Sequence, residues 1–387
     1  MTIQQRAFNI DDLRALAQKR LPWGLFDYVE RGAEDDISLA ANRAAVAQWQ
    51  LIPRIGVDVS QIDLSCRWFG RERARPFAIG PTALSALMWY RGEEAMARAA
   101  VTANIPYTTG TMSLTAMEAL REISGEDLWF QLYMLRNRAA TWQIVERAKN
   151  AGIKTLMVTL DIPVEPNREY TKRSGFNLPF KFSVRSVADV LAHPHWLGDV
   201  YLRYQLGGGL PKLANLPAGD LTDQQVAQDL TVDPTMTWDT LRELRAKWPH
   251  TLVLKGVLDA RDAQRAAELG ADGIVISNHG GRALDGATAP LTVLPEIAAA
   301  VNGRLTVLID SGFRRGVDVI KALALGADGV LLGRAALYGL AAVGEAGAAH
   351  ALHLLQTETA RALALLGCPR VADLEADYLR ATVARNS

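Results

Sequence analysis

The sequence predicts an α/β chain folded as a closed (β/α)8 TIM barrel, with an N-terminal helical segment and a long loop after the fourth strand. Three observations carry that expectation. Eight short, nearly all-apolar runs recur between Phe77 and Arg334, and apolar runs of this length bounded by turn residues are strands. Between them lie stretches such as RAATWQIVERAKNAG and DARDAQRAAELGADG, with apolar residues at helical spacing and a closing glycine. Strands apolar on both faces are parallel strands covered by helices, and eight such units in series favour a closed barrel over an open sheet.

Residues 1–75 stand outside this rhythm and are expected to form helices and a small flap over the bottom or side of the barrel. The strands then follow as FAIGP (77–81), YTTG (107–110), LWFQLYM (128–134), TLMVTLD (155–161), LVLKGV (252–257), GIVISNH (273–279), TVLIDSG (306–312) and GVLLGR (329–334). The barrel is expected over 76–365 and a C-terminal tail over 366–387, all within one domain of residues 1–387. The fourth connection breaks the pattern with an insertion at 162–236, far beyond the few residues usual between strand and helix. Within it, the Val, Leu, Trp and Tyr spacing of 183–206 suits an amphipathic helix lying on a membrane surface. A helix packed against a neighbouring subunit fits the same pattern.

The bulk numbers exclude several classes of function. Lys+Arg and Asp+Glu both total 42, so no net field draws in nucleic acid or an anionic membrane, and any anion site must be local. Apolar residues at 49% and charged residues at 22% are globular composition. Two cysteines, Cys66 and Cys368, are too few for a disulfide framework or a zinc site and fit a reducing compartment. The opening MTIQQRAFNIDDL lacks the apolar run of a signal peptide. No apolar run approaches the roughly 20 residues of a membrane span. These features lead to the expectation of a cytoplasmic protein, soluble or at most peripheral on a membrane's inner face.

Polar residues collect where the strands end: Thr82, Gln131, Tyr133, Thr159, Asp161, Lys255, Ser277, His279, Asp310 and Arg334. In this fold the active site forms at the carboxyl ends of the strands. One such residue alone could simply start a loop; ten along one rim mark a site. The sharpest run is SNHGGRALDG (277–286), where a histidine at a strand end precedes two glycines and Arg282. Histidine accepts a proton near neutral pH, the glycines allow close approach, and an arginine fork suits a carboxylate. Two later runs, DSGFRRG (310–316) and LLGRA (331–335), pair glycine with Arg314 and Arg334. Loops after the seventh and eighth barrel strands often bind phosphate.

Together SNHGGR, DSGFRRG, LLGRA, QLY and PTA resemble the FMN-dependent L-2-hydroxy acid oxidases and dehydrogenases, a family that includes glycolate oxidase, L-lactate dehydrogenase and (S)-mandelate dehydrogenase. The resemblance extends from DYVERGAEDD to GCPRVADL, and DLWFQLYM, Trp89 and VLIDSGFRRG lean toward the mandelate and bacterial lactate enzymes. It implies that His279 is the catalytic base and that Asp161 stabilises its imidazolium. It implies that Arg168 and Arg282 hold the substrate carboxylate and that Tyr133 bonds substrate oxygens. Lys255 would face the edge of the flavin where charge collects, with Pro81, Thr82, Ala83, Gln131, Thr159 and Ser277 at ring positions. Asp310, Gly312, Arg314, Gly333 and Arg334 match positions around the ribityl chain and phosphate. FMN, a 2-hydroxy acid (aryl slightly ahead of lactate), an acceptor among oxygen, quinone and cytochrome, and a homotetramer are the implied partners.

Two positions depart from the family pattern. A tyrosine usual in the N-terminal helix is replaced at the matching position by Phe26, with Tyr28 expected on another side of the helix. Gly110 stands where relatives often carry a serine. A different enzyme class shares the barrel and a similar His-Gly-Gly run: a flavin-dependent isomerase resembling type 2 isopentenyl-diphosphate isomerase. Arg282 and Asp161 have no role in that chemistry.

Overall fold

The computed structural model describes residues 2–175, 183–217 and 231–382. Three short strands, β1 (Trp49–Leu51), β2 (Cys66–Trp68) and β3 (Arg71–Arg73), precede the barrel. The barrel strands are β4 (Phe77–Ile79), β5 (Tyr107–Gly110), β6 (Leu128–Leu132), β7 (Thr155–Thr159), β8 (Thr251–Val257), β9 (Gly273–Ile276), β10 (Thr306–Ile309) and β11 (Gly329–Leu332). They pair in sequence order and close β11 onto β4, every pair parallel. The expected (β/α)8 barrel is present, all eight strands included. Helices such as Arg138–Asn150, Ala260–Glu268 and Gly316–Ala324 cover the outside, so both strand faces are buried and the alternation of half-exposed strands is missing, as the sequence showed.

The strands stop earlier than their apolar runs. β7, β9, β10 and β11 end two or three residues before Asp161, His279, Gly312 and Arg334 respectively. His279 (φ 59°), Ser311 (φ 82°) and Gly312 (φ 95°) turn the chain out of the extended region. Part of the polar rim, Asp161, His279, Asp310 and Arg334 included, therefore lies beyond the strand ends, while Gln131, Thr159 and Lys255 stay within strands.

The N-terminal segment does more than flap over the bottom or side. Its β2–β3 hairpin plugs the lower end: Trp68 is fully buried among Ala78, Trp129, Met157, Val253, Val275, Leu308 and Leu331, and its indole N–H donates to the Asp328 carbonyl at 2.7 Å. Gly329 makes the room, since a Cβ there would lie 2.0 Å from the Trp68 ring. Helices Trp23–Glu30 and Ile37–Ala47 instead meet the loops at the strands' carboxyl ends. The tail returns as β12 (Leu379–Ala381), antiparallel to β1.

The insertion after β7 carries helices Glu169–Ser174, Val184–Ala192, Pro194–Trp196 and Arg203–Leu206, with a π-helical turn at Leu197–Leu202. Trp196 and Val200 are buried against the core, and the Trp196 indole N–H donates to the Leu87 carbonyl at 2.8 Å. Val184, Leu191 and Leu206 are exposed by 90%, 64% and 89%, so this segment is anchored on one side and presents apolar side chains on the other. Among the described residues no helix is long and apolar enough to cross a membrane.

Candidate active site

A cavity of about 390 Å³ opens at the carboxyl ends of the strands. Of the residues singled out from sequence, Pro81, Thr82, Ala83, Gly110, Gln131, Tyr133, Thr159, Arg168, Lys255, His279, Arg282, Asp310, Gly312, Arg314, Gly333 and Arg334 line it. They come from all eight strand ends and the insertion, so only barrel closure brings them together. Asp161 stands behind His279, off the cavity surface.

His279 is the centre. Its Nδ1 lies 3.0 Å from Asp161 Oδ1; with the carboxylate ionised, Nδ1 carries the proton and donates, leaving Nε2 free to accept one. Burial holds the imidazole below its ordinary range, outweighing the nearby Asp161, and Lys255 and Arg168 add to the lowering. A neutral, proton-accepting ring is the result. Burial would raise the Asp161 carboxyl, but His279 and Lys255 overcome it and keep Asp161 below the usual carboxylate range. Behind this pair the β8 strand bulges at Gly256, whose φ of 104° and lack of a side chain let Asp161 approach; a Cβ there would sit 2.7 Å from that of Asp161.

Lys255, the residue before the bulge, lines the cavity. Its Nζ donates to Ser277 Oγ at 2.8 Å and meets Asp310 Oδ2 at 3.1 Å. Burial alone would lower this ammonium; Asp310 and then Asp161 more than offset it and raise its pKa, so a fixed positive charge sits in the cavity floor. Ser277 is fully buried beneath it and does not reach the cavity. Gln131 Nε2 donates to Thr159 Oγ1 at 2.9 Å, and a Cβ on Gly110 would stand 2.6 Å from Gln131 Oε1. A serine at 110 would push that amide aside.

Positive charge also gathers across the mouth. Burial, then the neighbouring Arg282, lowers the pKa of Arg168. Burial, Arg282 and Arg314 bring that of Arg334 down to about 10. No carboxylate of the described residues forms a salt bridge with Arg168, Arg282 or Arg334. The cavity is built to receive anions.

A model of one family, described as FMN-dependent dehydrogenase, matches residues 17–381. The chain belongs to the FMN-dependent dehydrogenase family. The chain is 43% identical over 381 residues to the (S)-mandelate dehydrogenase of Pseudomonas putida, covering 98% of this chain and 95% of that protein. It is 40% identical over 373 residues to an L-lactate dehydrogenase of Yersinia pestis (strain Pestoides F), covering 95% and 97%. A crystal structure of the monotopic membrane protein (S)-mandelate dehydrogenase superposes with a TM-score of 0.92 at 43% identity, covering 98% of this chain and 100% of that one. A mandelate oxidase with (S)-2-phenylpropionate gives 0.81 at 36% identity, covering 97% and 99%. These findings lend the isomerase reading no support.

The residues present fit FMN. Thr82 Oγ1 is buried with no hydrogen-bond partner among the described residues, a polar atom waiting for a ligand. The amides of Arg314 and Arg315 are already taken by Asp318, whereas helix Arg334–Val343 starts at Gly333 with no side-chain cap. That helix end, with the Arg314 side chain, would hold the phosphate. Pro81, Thr82, Ala83, Gln131, Thr159 and Lys255 would hold the ring, with Asp310 and Gly312 along the chain toward the phosphate.

Phe26 needs correcting. It lies in the core, 6% exposed, with the Arg14 guanidinium 5.5 Å over its ring, and does not line the cavity. Tyr28 does, with Arg282 4.8 Å over its ring. Leu25, Phe26 and Val29 form the face of helix Trp23–Glu30 that packs inward, and Tyr28, about 200° round from Phe26, projects from another. That apolar face was the signal that could have corrected the assignment. Trp89, which leans toward the mandelate and bacterial lactate enzymes in sequence, is also outside the cavity: Arg20 stacks on it at 4.4 Å. Met112, Ile162, Leu213 and Val232 line the cavity unanticipated, because nothing in their local pattern marks a loop residue as a wall.

Proposed function

We propose that this protein oxidises an L-2-hydroxy acid to the 2-oxo acid, with His279 as base. The observation that carries this is one cavity holding a neutral histidine paired to Asp161 and, beside it, two arginines without carboxylate partners among the described residues. Arg168 donates Nε and Nη2 to the Arg282 carbonyl, and Arg282 donates Nη1 to the carbonyls of Tyr28 and Arg31. Their remaining N–H groups bind and orient the substrate carboxylate. Tyr133 and Tyr28 bond its oxygens. Nε2 of His279 takes a proton, either from Cα or from the hydroxyl, and Asp161 stabilises the imidazolium that forms. Bound FMN supplies the two-electron acceptor. Lys255, buried and fixed by Ser277 and Asp310, adds a preorganised positive charge.

An aryl side chain is favoured over a methyl group. Ala83, Leu84, Met112, Leu213 and Val232 give the cavity an apolar wall, and the relatives reported above include a mandelate dehydrogenase and a mandelate oxidase. Mixing the purified flavoprotein anaerobically with (S)-mandelate, L-lactate and glycolate tests the reading. Bleaching of the flavin by one or more of them, fastest with mandelate, is expected; a flavin left oxidised by all three defeats it.

The exposed Val184, Leu191 and Leu206 support peripheral contact of 183–206 with the inner face of a membrane, where a quinone is favoured over oxygen or a cytochrome as acceptor. Co-sedimentation with liposomes should fall when these three become serine, and an oxygen electrode separates the acceptors. The homotetramer is checked by sedimentation.

A further inference from the structure

Helix Trp23–Glu30 ends without a glycine: the next residue, Arg31, is extended at φ −80°, ψ 154°. A helix end leaves carbonyls unpaired and carries partial negative charge. Here two arginines satisfy them. Arg282 Nη1 donates to the carbonyls of Tyr28 (2.6 Å) and Arg31 (2.8 Å). Arg334 Nε donates to Val29 at 2.7 Å and its Nη2 to the same Arg31 carbonyl at 3.1 Å. Its Nη1 donates to Gly280, the residue after His279, at 2.8 Å. One guanidinium thus ties the helix end to the histidine turn, and one carbonyl is shared by two arginines. The same helices are pinned again where Tyr338 Oη donates to Glu30 Oε2 at 2.7 Å.

We propose that Arg334 is a positioning residue for substrate rather than a side-chain ligand of the cofactor phosphate. Through the Arg31 carbonyl it fixes Arg282 and Tyr28, and through Gly280 it fixes the turn that presents His279. Three of its five N–H groups point along these divergent directions, a geometry lysine cannot reproduce. The Gly280 contact is tight: a Cβ on that residue would lie 2.7 Å from Arg334 Nη1. The phosphate is left to the backbone at the start of helix Arg334–Val343 and to Arg314.

This inference rests on the hydroxy-acid reading, and the experiment separates the two. FMN affinity of the apoprotein is measured by flavin fluorescence quenching, and KM for the 2-hydroxy acid is measured at saturating FMN, for wild type, Arg334→Lys, Arg334→Met and Arg314→Met. For both Arg334 variants we expect KM raised about tenfold or more, equivalent to roughly 1.4 kcal/mol, with FMN Kd within about threefold of wild type. Arg314→Met should show the reverse. Arg334→Lys combined with Arg282→Lys should raise KM by less than the product of the single effects, as coupled neighbours do. Arg334→Lys keeps the buried charge and most of the stem, and it decides the matter if Arg334→Met does not fold. KM within about threefold of wild type overturns the proposal, as does FMN binding weakened about tenfold, whatever KM does. A wild type that binds FMN but is reduced by no 2-hydroxy acid refutes the hydroxy-acid reading itself, and this inference with it.

Discussion

Replacing Asp161 by asparagine removes one charge from behind the base while keeping the shape of the side chain. The asparagine can still accept the Nδ1–H of His279 through its oxygen, because Asp161 Oδ2 has no partner among the described residues and its place can take the amide nitrogen. The tautomer is retained, and the loss is electrostatic. At 3.0 Å and an effective dielectric constant of about 20, the pair is worth roughly 5 kcal/mol once the imidazole is charged. A transition state with about half that charge developed loses roughly 2.5–3 kcal/mol, or about 100-fold in the rate of flavin reduction. The sign of the pH effect follows from the same contact. Protonated His279 is inactive, so kcat/KM falls as pH falls through its pKa, which burial holds below the usual value of about 6.5. Asp161 raises that pKa, so its loss moves the acid limb to still lower pH. Anaerobic stopped-flow reduction across the acid range measures both effects. An Asp161→Asn enzyme as fast as wild type, or an acid limb shifted to higher pH, would refute the assignment of Asp161 as stabiliser of the imidazolium.

Four further outcomes are expected. His279→Ala should keep its yellow flavin, since the phosphate end is untouched, yet lose turnover by about four orders of magnitude, at the upper end of general-base contributions; near wild-type bleaching would show that another group is the base. Tyr28→Phe should raise KM about fivefold through loss of a hydrogen bond of roughly 1 kcal/mol. Phe26→Tyr should leave KM alone and lower Tm, because it buries a hydroxyl in the core at a cost of about 1–3 kcal/mol; a drop in KM would put residue 26 back at the carboxylate. Gly256→Ala places a methyl against Asp161 at a φ of 104°, and both Tm and the rate of flavin reduction should fall. An unchanged rate would mean that the bulge does not set the base.

The barrel was legible because its signal is local and repeated. Each strand announces itself by an apolar run and each helix by its spacing, and parallel strands separated by helices have few ways to close. The chemistry was legible for a related reason: His279, Arg282, Lys255 and Arg314 sit at predictable offsets from strand ends, and a polar residue there is conspicuous against apolar sequence. Phe26 failed because a helix by itself does not say which face meets the cavity. That depends on what Leu25 and Val29 pack against, a contact made with distant parts of the chain.

Sequence by itself determined the order of the strands, the place of the insertion and the chemical types gathered at the rim. Tertiary structure alone decided how those groups are used. Trp68 seals a barrel floor 260 residues away at Asp328, and Arg334, though it lines the cavity, commits its guanidinium to the end of a helix far earlier in the chain. The physical reason lies in the difference between periodicity and pairing. Burial pattern is written residue by residue along a chain, whereas the partner of a buried cation is whichever unpaired carbonyl the closed fold brings within hydrogen-bonding reach.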